Sequence, residues 1–311
     1  MDISCPLACL CFSAGETVIN FNQLRAFHEV ARNQGFSAAA RALCVTQPAV
    51  TSHIRGLESS LGVRLFRRRG RRMVLTEVGA LLFLQAREVF ELERAMERTV
   101  AEVRSLERGV LRVGTTKTYS HHLMPSLMTR FHAAHPGVRM VLDEGSSLDM
   151  CRSLLDLRNE LAVVAKVEGV RGVTFIPFRN ERVILVAAPT HPFAARESIL
   201  FQELEGLPII TREEGSGVQA LTRACFDQRG MTPDVLVETG NVEFIKEMVE
   251  GGEALSFLVE SAVAEDLAGG RLVAVDIEDQ ELMLDVNIAY LEEDTLSPAA
   301  AAFLSLLLAE K

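Results

Sequence analysis

Tryptophan is absent from this 311-residue chain, tyrosine occurs only twice, and aromatics total 6%. Phenylalanine supplies 16 residues, so the large core side chains bring almost no hydroxyl or indole group that must find a partner. The six cysteines (Cys5, Cys9, Cys11, Cys44, Cys151, Cys225) form no CxxC pair and no metal-ligand spacing. That excludes a zinc module and fits reduced thiols. No stretch approaches the roughly 20 apolar residues of a membrane span; the run from Ala299 to Leu308 is short and broken by Ser305. The N-terminus, MDISCPLACLCFSAGETVI, has no lysine or arginine, whereas a secretory signal opens on a basic segment. The expected location is the cytoplasm, with residues 1–19 an irregular extension. HExxH, P-loop and GxSxG patterns are missing too, which removes the common metalloprotease, nucleotide hydrolase and serine hydrolase readings.

What is present is ordinary globular composition, 48% hydrophobic and 24% charged, at a length expected to make two to three domains. The net charge of −10 argues against nucleic acid bound by the whole surface, but the charge is unevenly spread. Residues 20–78 hold ten arginines, no lysine and three glutamates, a net of +7, which leaves −17 for the remainder. A basic front on an acidic body calls for a local reading of each part.

From Phe21, apolar residues recur at helical spacing through Leu24, Phe27, Val30 and Ala31, and Gly35 is expected to stop that helix. Ser37 is placed to cap a short second helix, Ala38 to Leu43. After a turn at Cys44-Val45, Thr46 can cap a third helix from Gln47 to about Leu61, with Pro48 in its first turn. Val50, Ile54, Leu57 and Leu61 form its buried stripe, leaving Gln47, Thr51, Ser52, His53 and Arg55 on the other faces. Two short helices, a tight turn and a polar outer face match a DNA-binding helix-turn-helix. Arg64, Arg67, Arg68, Arg69, Arg71 and Arg72 around Gly70 suit a hairpin wing lying along phosphates. From Thr76 a long proline-free segment follows, in which Leu82, Val89, Met96 and Val103 repeat every seven residues. Leu92 and Leu106 occupy intervening positions, and Gln85 and Thr99 interrupt the seam. Such a helix needs a partner to bury its stripe, and a second copy of the chain is expected, because helix-turn-helix proteins usually read two half-sites.

The stretch from Phe21 to Gly79 closely resembles the N-terminal domain of LysR-type transcriptional regulators. The resemblance rests on Gln23-Leu24, Phe27, Val30, Phe36-Ser37-Ala38-Ala39-Ala40, Leu43, Thr46-Gln47-Pro48-Ala49-Val50-Thr51, Leu57-Glu58, Leu61-Gly62-Val63, Leu65-Phe66 and Leu75-Thr76. Ser52 departs from it, standing where many members carry arginine or lysine. The resemblance implies pairing through the linker helix, a homodimer and, beyond it, a dimer of dimers on a double-stranded operator.

From Val110 short apolar strands alternate with helices. The expected strands are Leu111–Val113, Val138–Leu142, Leu161–Val167, Val173–Pro177, Arg182–Ala188, Leu207–Thr211, Val235–Glu238 and Ala254–Val259. That pattern indicates α/β architecture with mostly parallel sheets, in which ligands bind beyond the carboxyl ends of strands. The loops there are rich in hydroxyls: Thr115-Thr116-Lys117-Thr118, Gly145-Ser146-Ser147, and Thr211 with Gly215-Ser216-Gly217. Helix capping explains any one of them; three together point to a site for a small polar or anionic ligand. Leu123–Pro125, Phe131, Pro136, Glu144-Gly145, Thr211-Arg212-Glu213 and Ile245–Val249 resemble, more loosely, the family's regulatory domain. That resemblance implies a two-lobed, periplasmic-binding-protein-like fold with an effector cleft at Thr115, Thr116, Ser146, Ser147, Thr211 and Ser216.

An enzyme is the rival reading. Gly215-Ser216-Gly217-Val218-Gln219-Ala220 fits a dinucleotide fingerprint, with Glu238 downstream. Arg212, Glu213 and Glu214 spoil it, separating the first glycine from its strand and placing acids where a pyrophosphate would lie. His121 and His132 would stand roughly 16 Å apart on a helix, too far to share an ion, and His132 and His135 lack a third ligand. The expectation is therefore a non-enzymatic α/β protein with an all-α, winged N-terminal part, needing no metal or cofactor. Its divisions are an extension (1–19), a winged helix-turn-helix (20–78), a linker helix (79–107) and a regulatory domain (108–311). Lobe I of that domain spans about 110–180 and 284–311, and lobe II about 181–283. Expected partners are operator DNA, a small-molecule effector and, for an activator, RNA polymerase.

Overall fold

The computed structural model describes residues 18–69 and 72–310, which fall into two compact units divided between Ala101 and Glu102. The extension up to residue 17, with Cys5, Cys9 and Cys11, lies outside the described residues, as do Gly70 and Arg71.

In the first unit, Asn20 caps α1 (Phe21–Arg32), accepting from Asn22 N and Gln23 N at 3.0 and 3.2 Å. Gly35 does not make the turn that follows. Gln34 takes the left-handed conformation at φ 52°, and Gly35 is extended at φ 179° as the cap of α2 (Phe36–Ala42). Ser37 is therefore the second residue of α2 and not its cap, and the helix starts and ends earlier than expected. Thr46 does cap α3 (Gln47–Leu61), accepting from Ala49 N at 3.4 Å with Pro48 in the first turn. Val50, Ile54 and Leu57 are buried with Leu24, Phe27 and Val30 of α1 in one core. Gln23 of α1 reaches across to α3, its Nε2 lying 2.6 Å from where a Cβ would stand on Gly56.

A buried acid fixes what comes next. Glu58 accepts from Leu65 N (2.8 Å), Phe66 N (3.3 Å) and the Arg64 guanidinium (2.8 Å). It thereby sets the start of a hairpin, β1 (Phe66–Arg69) and β2 (Arg72–Leu75), paired antiparallel with Phe66 opposite Leu75. Thr76 Oγ1 donates to Arg64 O (2.8 Å) and accepts from Gly79 N (3.0 Å), opening α4 (Glu77–Arg104). Ala86 and Phe90 of α4 are buried in this unit's core, with Leu82 and Phe83 packed beside them. Leu82, expected in the partner seam, is thus spent within its own unit. Leu106 is not a seam residue either: it lies past the helix end at φ 61° and packs against the core of the second unit.

The second unit is built on one mixed sheet. Its elements are β3 (Gly109–Thr116), α5 (Lys117–His122), α6 (Met124–Ala134), β4 (Val138–Gly145), α7 (Ser147–Leu155), β5 (Leu161–Ala165), β6 (Thr174–Ala187), β7 (Pro208–Thr211), α8 (Gly217–Gln228), β8 (Asp234–Glu238), α9 (Val242–Glu250), β9 (Leu255–Val259), α10 (Glu260–Ala268), β10 (Val273–Val275), β11 (Leu282–Tyr290) and α11 (Pro298–Ala309). The strand order is β4-β3-β5-β11-β6-β9-β7-β8, with β10 on β6. Strands β4, β3 and β5 run parallel, and so do β8, β7 and β9, making two similar halves.

The segments read as separate strands at Val173–Pro177 and Arg182–Ala188 are one strand, β6. It pairs antiparallel with β11, a strand the apolar-run reading missed because its burial alternates at Leu282–Leu284. These two long strands cross from one lobe to the other, so the sheet is mixed rather than mostly parallel. Their register shifts between Val286 and Asn287, opposite Pro177, which has no N–H to give the ladder. Phe178, Val286, Ile288 and Tyr290, around and beyond that shift, enter the core of lobe I; farther back Val183–Ala187, Leu282 and Leu284 enter that of lobe II.

Candidate nucleic-acid interface and ligand cleft

On α3 the outer face is a recess lined by Gln47, Pro48, Thr51, Ser52 and Arg55. Gln47, Pro48, Ser52 and Arg55 are exposed, while Thr51 and His53 are half-buried. Ser37 acts here in a way its sequence position did not reveal. Its hydroxyl donates to Gln47 Oε1 at 2.8 Å, which holds the amide and leaves its NH₂ free to point outward. Thr51 turns its hydroxyl inward, donating to Gln47 O at 3.0 Å. Thr46, which is exposed, is committed to its cap. Along the hairpin Arg67, Arg68 and Arg69 are exposed, and Arg72 opens the returning strand. Arg71 lies outside the described residues. A rigid helix carrying amide and guanidinium donors, beside an arginine-rich hairpin, can read base edges and hold phosphates.

Down α4 a second feature is laid out. Val78, Leu81, Val89, Leu92, Met96 and Val100 are all exposed, at 40–64%, and follow one helical stripe. Val89, Leu92 and Met96 are among the residues expected for pairing; Val103 continues the stripe half-buried. Leu81 and Val100 belong to the stripe but were not anticipated, because a strict seven-residue count skips them.

The hydroxyl-rich loops of the second unit meet where the carboxyl ends of both parallel strand sets converge. The cavity between the lobes is lined by Thr116, Thr118, Tyr119, Ser146, Ser147, Ala165, Arg212, Glu213, Ser216, Gly217, Val218, Val259 and Leu284. It holds about 20 Å³ of free space, room for a single water. Of the expected residues, four line it. Thr116 and Ser216 begin α5 and α8 without forming a side-chain cap, so their hydroxyls remain available. Ser147 accepts from Ala165 N at 3.2 Å and keeps its own proton to give. Ser146 is committed to capping α7, accepting from Asp149 N (3.1 Å) and donating to Asp149 Oδ2 (2.7 Å). Thr115 and Thr211 lie elsewhere. Thr115 Oγ1 donates to Val163 O at 3.1 Å inside the sheet, because strand alternation turns it away from its neighbour Thr116. Thr211 lines a different cavity of about 290 Å³ within lobe II, with Gln219, Phe226, Met231 and Phe257.

Among the cleft residues outside the expected set, Arg212 and Tyr119 bring the most chemistry. Arg212 is 4% exposed; it donates to Glu213 through Nε (2.9 Å) and Nη2 (3.3 Å), and to Thr118 Oγ1 across the cleft (3.0 Å). Tyr119 buries a hydroxyl with no partner among the described residues. Burial pushes that phenol well above its usual range, so it stays protonated and can donate. In the sequence Arg212 figured as a disturbance of a glycine motif and as part of the family resemblance, never as a cleft residue; a buried cation cannot be told from a surface one by local pattern. The lobes also touch through Leu148 N donating to Gly215 O at 3.2 Å. Gly215, at φ 82°, tolerates no side chain here, as a Cβ would stand 2.9 Å from that of Leu148. Cys151 and Cys225 are buried and unpaired, their thiols pushed up by burial, Cys151 to about 11. Among the described residues no cluster of histidine, cysteine or acids could hold a metal, and no helix is long and apolar enough to cross a membrane.

Comparison with known proteins agrees with both units. Residues 21–80 match the bacterial regulatory helix-turn-helix protein family model, lysR family, and residues 104–311 match the LysR substrate binding domain. A RuBisCO operon transcriptional regulator of Allochromatium vinosum is 30% identical over 292 residues, covering 94% of this chain and 96% of that protein. A full-length OxyR variant from Pseudomonas aeruginosa superposes with a TM-score of 0.75 at 21% identity, over 94% of this chain and 99% of that one. CbnR in complex with its target DNA gives a TM-score of 0.60 at 20% identity, with coverages of 94% and 99%. Two family models that between them span nearly the whole of the described chain leave one conclusion: the protein belongs to the LysR family of transcriptional regulators.

Proposed function

We propose that this regulator acts in the cytoplasm as a homodimer, and as a pair of dimers on longer sites, reading an interrupted inverted repeat in double-stranded DNA. The observation that carries this reading is the outward face of α3, where Ser37 orients Gln47 beside exposed Ser52 and Arg55 on a frame of net charge +7. Gln47, Ser52 and Arg55 contact base edges in the major groove, and Arg67, Arg68, Arg69, Arg71 and Arg72 hold phosphates. The exposed stripe of α4 joins two copies. A small polar or anionic metabolite binds between the lobes, touched by Thr116, Ser147, Ser216, Tyr119 and Arg212. Binding that differs between open and closed lobes shifts the spacing of the DNA-reading heads, and coupling of about 1–3 kcal/mol is enough for a transcriptional response. For promoters it activates, RNA polymerase is the further partner.

The test separates the two kinds of DNA contact. Gln47→Ala should change base preference at each half-site, costing about 1–3 kcal/mol on the preferred sequence, whereas Arg67→Ala should weaken all sequences alike and lower the salt slope by about one. Fluorescence anisotropy on operator and random duplexes across a salt series measures both. The same pattern for the two variants would refute the division of labour.

A further inference from the structure

The cleft contains its own anion. Arg212 presents the side of its guanidinium, Nε and Nη2, to both carboxylate oxygens of Glu213, the fork-to-fork geometry with which arginine takes carboxylates and phosphates. The two partners are unequally placed: the Arg212 side chain is 3% exposed, that of Glu213 22%. Glu213 therefore sits at the mouth and Arg212 behind it. A second cation stands close by from the other lobe. The position a Cβ would take at Gly240 is 2.8 Å from the Glu213 carboxyl carbon and 3.0 Å from Lys117 Nζ, so both charged groups reach the same small space over that glycine. Behind the pair wait the hydroxyls of Thr116, Ser216 and Tyr119, none of which has a hydrogen-bond partner among the described residues. A buried arginine needs a counterion, and with about 20 Å³ free the cleft cannot admit one while Glu213 stays.

We propose that Glu213 is a built-in substitute for the effector's anionic group: the effector displaces it from Arg212, and the released carboxylate swings to Lys117. The inference rests on the interlobe cleft being the effector site. It specifies the ligand as a compact oxyanion, a carboxylate or a phosphate, carrying one or more hydroxyl or carbonyl oxygens for Thr116, Ser216 and Tyr119. It also specifies the regulation. In the empty state the cleft's cation is neutralised from within its own lobe, and Arg212 gives up its Glu213 contact only to a ligand that replaces it, so neutral analogues are rejected by leaving the arginine unpaired.

The experiment uses the full-length protein, with inorganic phosphate and glycolate as probes, titrated calorimetrically at constant ionic strength against chloride. Glu213→Gln should bind at least one probe tenfold or more tighter than wild type; Arg212→Gln should bind neither. Glu214→Gln removes the same charge from an exposed neighbour that does not touch Arg212 and should leave affinity unchanged. Lys117→Met should weaken binding in the wild-type background and have no effect in Glu213→Gln, because it acts only by receiving Glu213. A gain for phosphate alone marks a phosphate ester as the effector class, and a gain for glycolate alone a carboxylic acid. Should Glu213→Gln fail to fold, Glu213→Asp, one methylene too short to span both nitrogens, should show the same gain. No gain in either variant, or an equal gain in Glu214→Gln, overturns the substitution, even if Thr116→Val still weakens binding and so upholds the cleft. If probes bind but Arg212→Gln, Thr116→Val and Glu213→Gln are all indifferent, the cleft itself is the wrong site.

Discussion

The two units solve opposite recognition problems with similar residue types. In the first, polar groups point outward from a helix that owes its place to a small buried core: Gln47, Ser52 and Arg55 are exposed while Val50, Ile54 and Leu57 on the same helix are not. In the second, Thr116, Ser147, Arg212 and Ser216 point inward and are at most 9% exposed. A long polyanion must be met by a surface, which one helix and one hairpin supply from consecutive residues. A small molecule must be surrounded, which takes groups converging from segments a hundred residues apart. The difference also shows in the fate of hydroxyls. Outside, Ser37 is free to position a neighbour; inside, Ser146 and Thr115 are claimed by the scaffold before any ligand arrives.

That contrast can be broken most forcefully at α4. Val89→Glu together with Met96→Glu places charge on a stripe that is exposed within one chain, so each chain should still fold. In a dimer the same charges would be buried unpaired, a severe penalty. Sedimentation should show a half-mass species that no longer binds operator tightly; an unchanged sedimentation coefficient would mean that copies do not pair through this helix.

Next in size is Glu58→Ala. It leaves the buried N–H groups of Leu65 and Phe66 without an acceptor and should cost the first unit about 3 kcal/mol. Hydrogen exchange should then show faster opening of α1 and α3 with β3 and β9 unaffected. Equal loss of protection in the second unit would contradict their independence.

A smaller effect is expected from Thr116→Val, which keeps the side chain's size and removes a hydroxyl that has no structural partner. Affinity for a metabolite found by thermal-shift screening should fall about fivefold, the worth of one hydrogen bond of about 1 kcal/mol, while ligand-free DNA binding persists. Thr115→Val is the contrasting variant: its hydroxyl serves Val163 O, so it should lower stability and leave ligand affinity intact.

Smallest is the acid response of the first unit. Burial against Phe83 and Phe90 lowers the pKa of His28 below its ordinary 6.5, with Glu29 offsetting only part of the shift. A base with a lowered folded pKa binds fewer protons folded than unfolded. Its contribution is complete above 6.5 and is lost as pH falls below that value. His28→Gln should flatten the pH dependence of α1 protection on the acid side; an unaltered profile would assign that dependence to other groups.

The local and periodic part of the protein can be read from its residues in order. The spacing of Leu24, Phe27 and Val30, the Thr46-x-Pro48 start of α3, the arginine run and the long proline-free helix each follow from residues within a few turns of one another. Strand-helix alternation after Val110 was legible for the same reason. Tertiary structure alone decided three things. It joined β6 to β11 across the lobes, a pairing of segments about a hundred residues apart that no run of apolar residues announces. It sorted the hydroxyls into those spent on caps and sheets and those left facing the cleft, a choice set by strand alternation and helix starts. And it buried Arg212 against Glu213, because whether a charge lies inside or outside depends on what packs over it, and those residues arrive from the other lobe.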